Sequence, residues 1–188
     1  LLQESAIRAL VQNIASCDEV WVVSRGAGEN LRSLGYEGGY IVMENGVDVP
    51  RGRVSDEAIA AATGRYDLPQ NVPVFLFVGR LMWYKGIRII LDALKTLCEK
   101  NVDFRMVFVG EGADGAEIRS YAEERKLSDR CFFTGAISDR EIIRAWYGRS
   151  DLFLFPSTFD TNGLVVREAA ACELASVLVR GSCAAEDI

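Results

Sequence analysis

The chain has 188 residues, with 27 acidic and 21 basic side chains, a net charge of −6 and no histidine. An acidic chain without a dense basic face excludes a nucleic-acid backbone as partner, and one without imidazole holds no Ser-His-Asp or Cys-His machinery and no zinc site built on histidine. Hydrophobic residues make up 49%, yet no apolar run nears the roughly 18 residues of a membrane span and the start, LLQESAIRALVQ, lacks the pattern of a secretion signal, so the expectation is a globular, cytoplasmic protein.

Ile7, Leu10, Val11 and Ile14 recur at helical spacing and predict an amphipathic helix over residues 3–16, then a short strand over 20–23. A helix over 29–34, stopped by Gly35, and a strand over 40–43 follow. ENGVDVPRG, residues 44–52, breaks the pattern with Asn-Gly, Pro and Gly and marks a domain boundary or hinge. After a helix over 55–63 the chain alternates. Strand 74–78 leads to a helix carrying Ile87, Ile90, Leu91, Leu94 and Leu97, and strand 104–109 to one carrying Ile118, Tyr121 and Ala122. Strand 131–134 leads to a helix over 138–147, strand 152–155 to a helix after Gly163, and a strand over 176–179 comes last. Alternation of this kind predicts right-handed crossovers and an α/β fold, a Rossmann-like parallel sheet with helices on both faces. The cysteines, Cys17, Cys98, Cys131, Cys172 and Cys183, are odd in number and lack CxxC spacing, the usage of buried thiols in a reducing compartment.

Two segments at predicted strand ends carry chemistry. In FVGRLMWYKG, residues 77–86, Gly79 lets the backbone turn, Arg80 offers a planar fork of donors and Lys85 a compact charge. Two cations within six positions at the ligand edge of a parallel sheet suit a diphosphate, although each alone reads equally as a solvated loop charge. In SDLFLFPSTFDTNGLVVREAAA, residues 150–171, Asp160 falls in the loop after a strand and Glu168 about a turn and a half into the next helix. That helix presents unpaired amides and the positive end of its dipole at the same edge. Beside Asn162 and Gly163 the two acids point to a phosphorylated, hydroxyl-rich ligand, with Asp160 as a plain helix cap the competing reading. Two carboxylates near a sugar also admit a glycosidase, against which stand the two cations.

Weaker signals lie at neighbouring strand ends. VGEGADG, residues 109–115, is a turn or, through Glu111, a ligand contact. TGAISD, residues 134–139, caps a helix with Ser138 or offers backbone groups at Ala136 and Ile137 to a nucleobase edge. Trp83 and Tyr84 pack on the ligand or against another domain; the residues leave that open.

Jointly, FVGRLMWYKG, VGEG, the acid pair within SDLFLFPS and NGLVVREAAAC, and ENGVD resemble the retaining glycosyltransferases of family 4, of two-domain GT-B fold. The resemblance runs from about residue 18 to the end. It implies transfer of a sugar from a nucleotide-diphosphate-sugar donor to an acceptor it does not name, with retention at the anomeric carbon and without a metal or other cofactor. It assigns Arg80, Lys85 and the amides of Gly163 and Leu164 to the diphosphate, Glu168 to the ribose and Asp160 to the sugar hydroxyls. It makes residues 1–45 the tail of an acceptor domain and 46–188 a shortened sugar-donor domain, so that this chain alone is expected to bind without turning over. The apolar face of the first helix is then expected to drive self-association. Asp160 stands where the family usually has Glu, and Glu173 and Ala175 replace a Gly and a Pro that usually end the helix. A non-catalytic nucleotide-binding module and a nucleotide-sugar epimerase are the alternative readings.

Overall fold

A computed structural model describes residues 2–50 and 52–186. In chain order it runs α1 Leu2–Ala15, β1 Trp21–Val22, α2 Arg25–Ser33, β2 Ile41–Val42, α3 Asp56–Thr63, β3 Val74–Val78, a 3-10 turn Trp83–Lys85, α4 Ile87–Glu99, β4 Arg105–Val109, α5 Gly115–Glu124, β5 Cys131–Gly135, α6 Arg140–Arg149, β6 Leu152–Phe155, α7 Leu164–Ala171, β7 Ser176–Leu178 and α8 Cys183–Glu186.

Strands β3 to β7 form one sheet in the order β5-β4-β3-β6-β7, and every pairing between them is parallel. Successive residues of its centre, Leu76 with Phe77 and Met106 to Phe108, are all fully buried. Unbroken apolar runs are what a strand covered on both faces requires, whereas a half-exposed strand would alternate. From β3 the chain steps one way to β4 and β5, then returns past β3 to β6 and β7. Right-handed crossovers taken in opposite directions place α4 and α5 on one face and α6 and α7 on the other.

The sequence boundaries hold for β3 and β6 and shift by a residue or two at most other elements. Helix α2 begins at Arg25 instead of 29, because the Ser24 hydroxyl accepts from the Ala27 amide and caps it; its two glycines weaken the helical signal in the sequence. Helix α6 is capped by Asp139, not Ser138: the Asp139 carboxylate takes the amides of Glu141 and Ile142, and a charge complements the helix dipole where a hydroxyl does not. The short helix α8 is a further element beyond those predicted. At the end of α7, Glu173 adopts φ +62°, a left-handed conformation usually left to glycine, while the Leu174 amide reaches back to the Ala169 carbonyl at 2.9 Å. The cap therefore forms in spite of the substitution, at a cost of about 1 kcal/mol.

Residues 2–43 form their own small layer. β1 pairs in parallel with β2, placing Trp21 opposite Ile41, both exposed, while Val22 is buried. Of the predicted apolar face of α1, Val11 is buried and Leu10 is 54% exposed. This layer meets the main sheet at the loop after β6. Ser24 Oγ donates to the Thr161 carbonyl at 2.6 Å, and Asn162 Nδ2 donates to the Val23 carbonyl at 2.7 Å.

Candidate functional site

Strand order reverses between β3 and β6, so their following loops diverge above the sheet and leave a crevice at the carboxyl ends, where ligands bind in open α/β folds. The loop after β3 is held from one side by the loop after β4. Gly79 donates to the Val109 carbonyl and Leu81 to the Glu111 carbonyl, both at 3.0 Å, and Asp114 donates back to the Leu81 carbonyl at 3.2 Å. A Cβ at Gly110 would collide with the Gly79 carbonyl oxygen, and one at Gly112 with the Leu81 backbone. The glycines of VGEG thus serve backbone-on-backbone packing.

The 3-10 turn then aims Lys85 into the crevice. The Trp83 amide donates to Asp114 Oδ2 at 2.7 Å and its indole N–H to Glu117 Oε2 at 3.0 Å. The Arg88 guanidinium lies 4.4 Å from the ring centres of both Trp83 and Tyr121. Trp83 is therefore committed to α4 and α5, which answers half of what the sequence left open. Tyr84 flanks the site, its ring centre 5.9 Å from the Arg80 guanidinium carbon and 5.5 Å from Lys85 Nζ.

Lys85 Nζ meets Asp160 Oδ2 at 2.6 Å, with the two side chains only 12% and 19% exposed. The other oxygen of Asp160 accepts from the Gly163 amide at 2.9 Å and the Asn162 amide at 3.4 Å. Asp160 is thus both the cation partner and the group that shapes the turn into α7. Burial raises its carboxyl pKa, but the hydrogen bonds from Lys85 and Gly163 and the Lys85 charge outweigh it and hold the group below the usual carboxylate range. Asn162 is 3% exposed; its Nδ2 is spent on Val23, and its buried Oδ1 has no hydrogen-bond partner.

These groups surround a cavity of about 230 Å³ lined by Gly79, Arg80, Lys85, Asp160, Asn162, Gly163 and Leu164, and by Asn45 from the segment read as a hinge. A second hollow, of about 330 Å³, shares Val78, Gly79 and Arg80 with the first and extends along Glu111, Ala136 and Ile137. The two make one groove across the ends of β6, β3, β4 and β5. A larger hollow of about 550 Å³ is lined by Val47, Val49 and Gly52 against Arg167, Ala170, Ala171 and Glu173, and of the predicted site residues it contains none.

Glu168 alone of the predicted residues lines neither part of the groove. It lies half-buried one turn into α7, where Oε2 accepts from the Tyr147 hydroxyl at 3.0 Å. Tyr147 and Ser24 bear on the site without any mark in the sequence, and Asp114 and Asn45 lie in segments read as a turn and a hinge, because each acts through a tertiary contact that local pattern does not show. No group of three or more His, Cys, Asp or Glu placed to hold a metal ion occurs among the described residues. No helix among them is long and apolar enough to cross a membrane.

A parallel sheet with a groove at the point of strand reversal places the chain among the open α/β folds. Residues 60–188 match the family model of Glycosyl transferases group 1, and the chain belongs to that family. Over 145 residues, 76% of this chain, it is 32% identical to a 2-deoxystreptamine glucosyltransferase of Streptomyces kanamyceticus. Over 110 residues, 58% of the chain, it is 36% identical to a GDP-mannose-dependent α-(1-6)-phosphatidylinositol dimannoside mannosyltransferase of Mycobacterium tuberculosis. The matches span 37% and 28% of those two relatives' own lengths. In structure it resembles Anabaena HepE solved with UDP and glucose, with TM-score 0.82 and 23% identity over 97% of this chain and 50% of that one. It also resembles sucrose-phosphate synthase from Thermosynechococcus elongatus, with TM-score 0.77 and 26% identity over 93% of this chain and 44% of that one.

Proposed function

We propose that the groove holds the nucleotide-sugar donor of a metal-independent, retaining glycosyltransferase. The observation that carries this reading is the meeting of Lys85, Asp160 and the first turn of α7 at the strand reversal, with Arg80 beside them. The diphosphate lies against Arg80, Lys85 and the first amides of α7, the sugar against Asp160, and the nucleobase in the hollow along Glu111, Ala136 and Ile137. When the bond from the anomeric carbon to the diphosphate breaks, negative charge grows on the leaving phosphate. Fixed cations and a helix terminus in a partly desolvated crevice stabilise that charge without a metal. Glu168 reaches the ribose from behind the diphosphate, its carboxylate oriented by Tyr147. The two acids answer to different partners, Lys85 and Tyr147, which speaks against a glycosidase pair facing one scissile bond.

The relatives' names support the same class: one uses GDP-mannose and one structure holds UDP, and both are sources for the choice of ligand. We take residues 2–45 as the tail of an acceptor-binding domain, joined to the sugar-donor domain through Val23 and Ser24. Turnover then needs that domain to close over the groove and exclude water. Calorimetry with UDP, GDP and ADP, with and without EDTA, should show binding by this chain that EDTA leaves unchanged. Donor hydrolysis should be far slower than in a chain extended upstream. Absence of binding for all three nucleotides would overturn the reading.

A further inference from the structure

We propose that the Asp160 carboxylate is a built-in stand-in for the donor's phosphate, so that the site selects an intact sugar nucleotide over the bare diphosphate. In the structure Asp160 holds the same two groups that a diphosphate needs, the Lys85 ammonium and the Gly163 amide. A carboxylate spanning an ammonium and a helix-entry N–H offers them what a phosphate oxygen would offer. The inference rests on the groove being a nucleotide-sugar site.

The surroundings make this an exchange of partners. Beyond Asp160, Lys85 is flanked by the rings of Tyr84 and Phe155, at 5.5 and 5.8 Å, and its ion pair with Asp160 is its one salt bridge among the described residues. A phosphate approaching an undisturbed Asp160 would therefore place two anions on one ammonium. Arg80, exposed and without a salt bridge among the described residues, is open to take the first phosphate contact. The loop cannot swing aside as a body, since Thr161 is held by Ser24 and Asn162 by Val23. What remains is rotation of the Asp160 and Lys85 side chains. A sugar bound beside it supplies hydroxyl donors that replace the ammonium and the amide, and Lys85 passes to the phosphate. A bare diphosphate brings no such hydroxyls and must displace Asp160 without compensation.

The test is calorimetry of the full chain, wild type and Asp160→Asn, against inorganic pyrophosphate, UDP and GDP, and against UDP-glucose and GDP-mannose. Asparagine keeps an oxygen for the Gly163 amide while removing the negative charge that faces the Lys85 ammonium. Asp160→Asn should bind pyrophosphate and the nucleoside diphosphate about tenfold more tightly, about 1.4 kcal/mol, and lose the wild-type preference for the sugar nucleotide. The gain should vanish in a Lys85→Ala background. In ¹⁵N-labelled wild-type protein, pyrophosphate should shift the Gly163 amide resonance as its acceptor changes. Unchanged or weaker diphosphate binding by Asp160→Asn, or a still Gly163 resonance while pyrophosphate binds, overturns the exchange and leaves the nucleotide reading standing. Failure of every nucleotide to bind either protein overturns both.

Discussion

The Tyr147 hydroxyl donates to Glu168 at 3.0 Å, so the second acid of the pair is held from behind by a ring that is 1% exposed. Burial first, and then the Glu168 charge, push the phenol far above its ordinary pKa. It therefore stays a hydrogen-bond donor across the physiological range, with Glu168 the nearer acceptor and the Val165 carbonyl at 3.2 Å a second. Tyr147→Phe should lower stability by about 1 kcal/mol and weaken UDP or GDP binding about fivefold, since the carboxylate is no longer oriented. Glu168→Gln should weaken nucleotide binding more than Tyr147→Phe and equally for bare and sugar-bearing nucleotides. Chemical denaturation and calorimetry measure the two effects separately.

Arg80 and Lys85 are not equivalent, although the sequence presents them as a pair. Arg80→Ala should weaken a nucleoside diphosphate at least tenfold and a plain nucleoside hardly at all, because in the proposed binding mode only the diphosphate meets the guanidinium. Lys85→Ala should cost less with the bare diphosphate, since Asp160 already occupies the ammonium, and more with the sugar nucleotide. The double variant should depart from the sum of the singles, as groups sharing one ligand do. Equal losses from both singles with both ligands would count against this division.

Substitution at the glycines of the β4 loop should act through the fold. Gly110→Ala and Gly112→Ala each force a methyl into the backbone of residues 79–81, and each is expected to destabilise by more than about 2 kcal/mol, in the range of overpacked cores. Gly46→Ala, where an added Cβ meets nothing within 4 Å, should change stability by less than about 0.5 kcal/mol. Thermal melting of the three variants settles the order.

The tie between residues 2–43 and the loop after β6 should be measurable. Ser24→Ala removes both the α2 cap and the bond to Thr161, and the cap alone is worth about 1 kcal/mol. Amide exchange at residues 160–163 should rise in Ser24→Ala and in Asn162→Ala. Unchanged protection there would mean that the loop is held by its own turn alone.

Cys131 gives a pH signature. Burial pushes its thiol up to about 12 from an ordinary value near 9, so the folded protein keeps the proton that the unfolded chain releases. Its contribution is complete below pH 9 and is lost as pH rises from there towards 12. In native protein at pH 8, a thiol reagent should label exposed Cys17 rapidly and Cys131 only on unfolding. Rapid native labelling of Cys131 would contradict its burial.

The fold was legible because burial on both faces leaves a strong local mark. Residues 74–78 and 152–155 are continuous apolar runs bounded by turn residues, and both strands appear with those limits. Elements whose stability comes from elsewhere were harder to read. Helix α2 contains two glycines and owes its start to the Ser24 hydroxyl, and α8 is four residues long and packs on α2. Which residues gather at the groove followed in large part from chemistry at strand ends, since a loop leaving a parallel strand has only one edge of the sheet to occupy. How they are wired did not. That Lys85 is already paired with Asp160, that the VGEG glycines admit a neighbouring backbone, and that Glu168 answers to Tyr147 are contacts across 75, 31 and 21 positions of chain. Spacing along a sequence carries the period of a helix or strand, whereas the partner of a charge is chosen by the order in which the strands assemble.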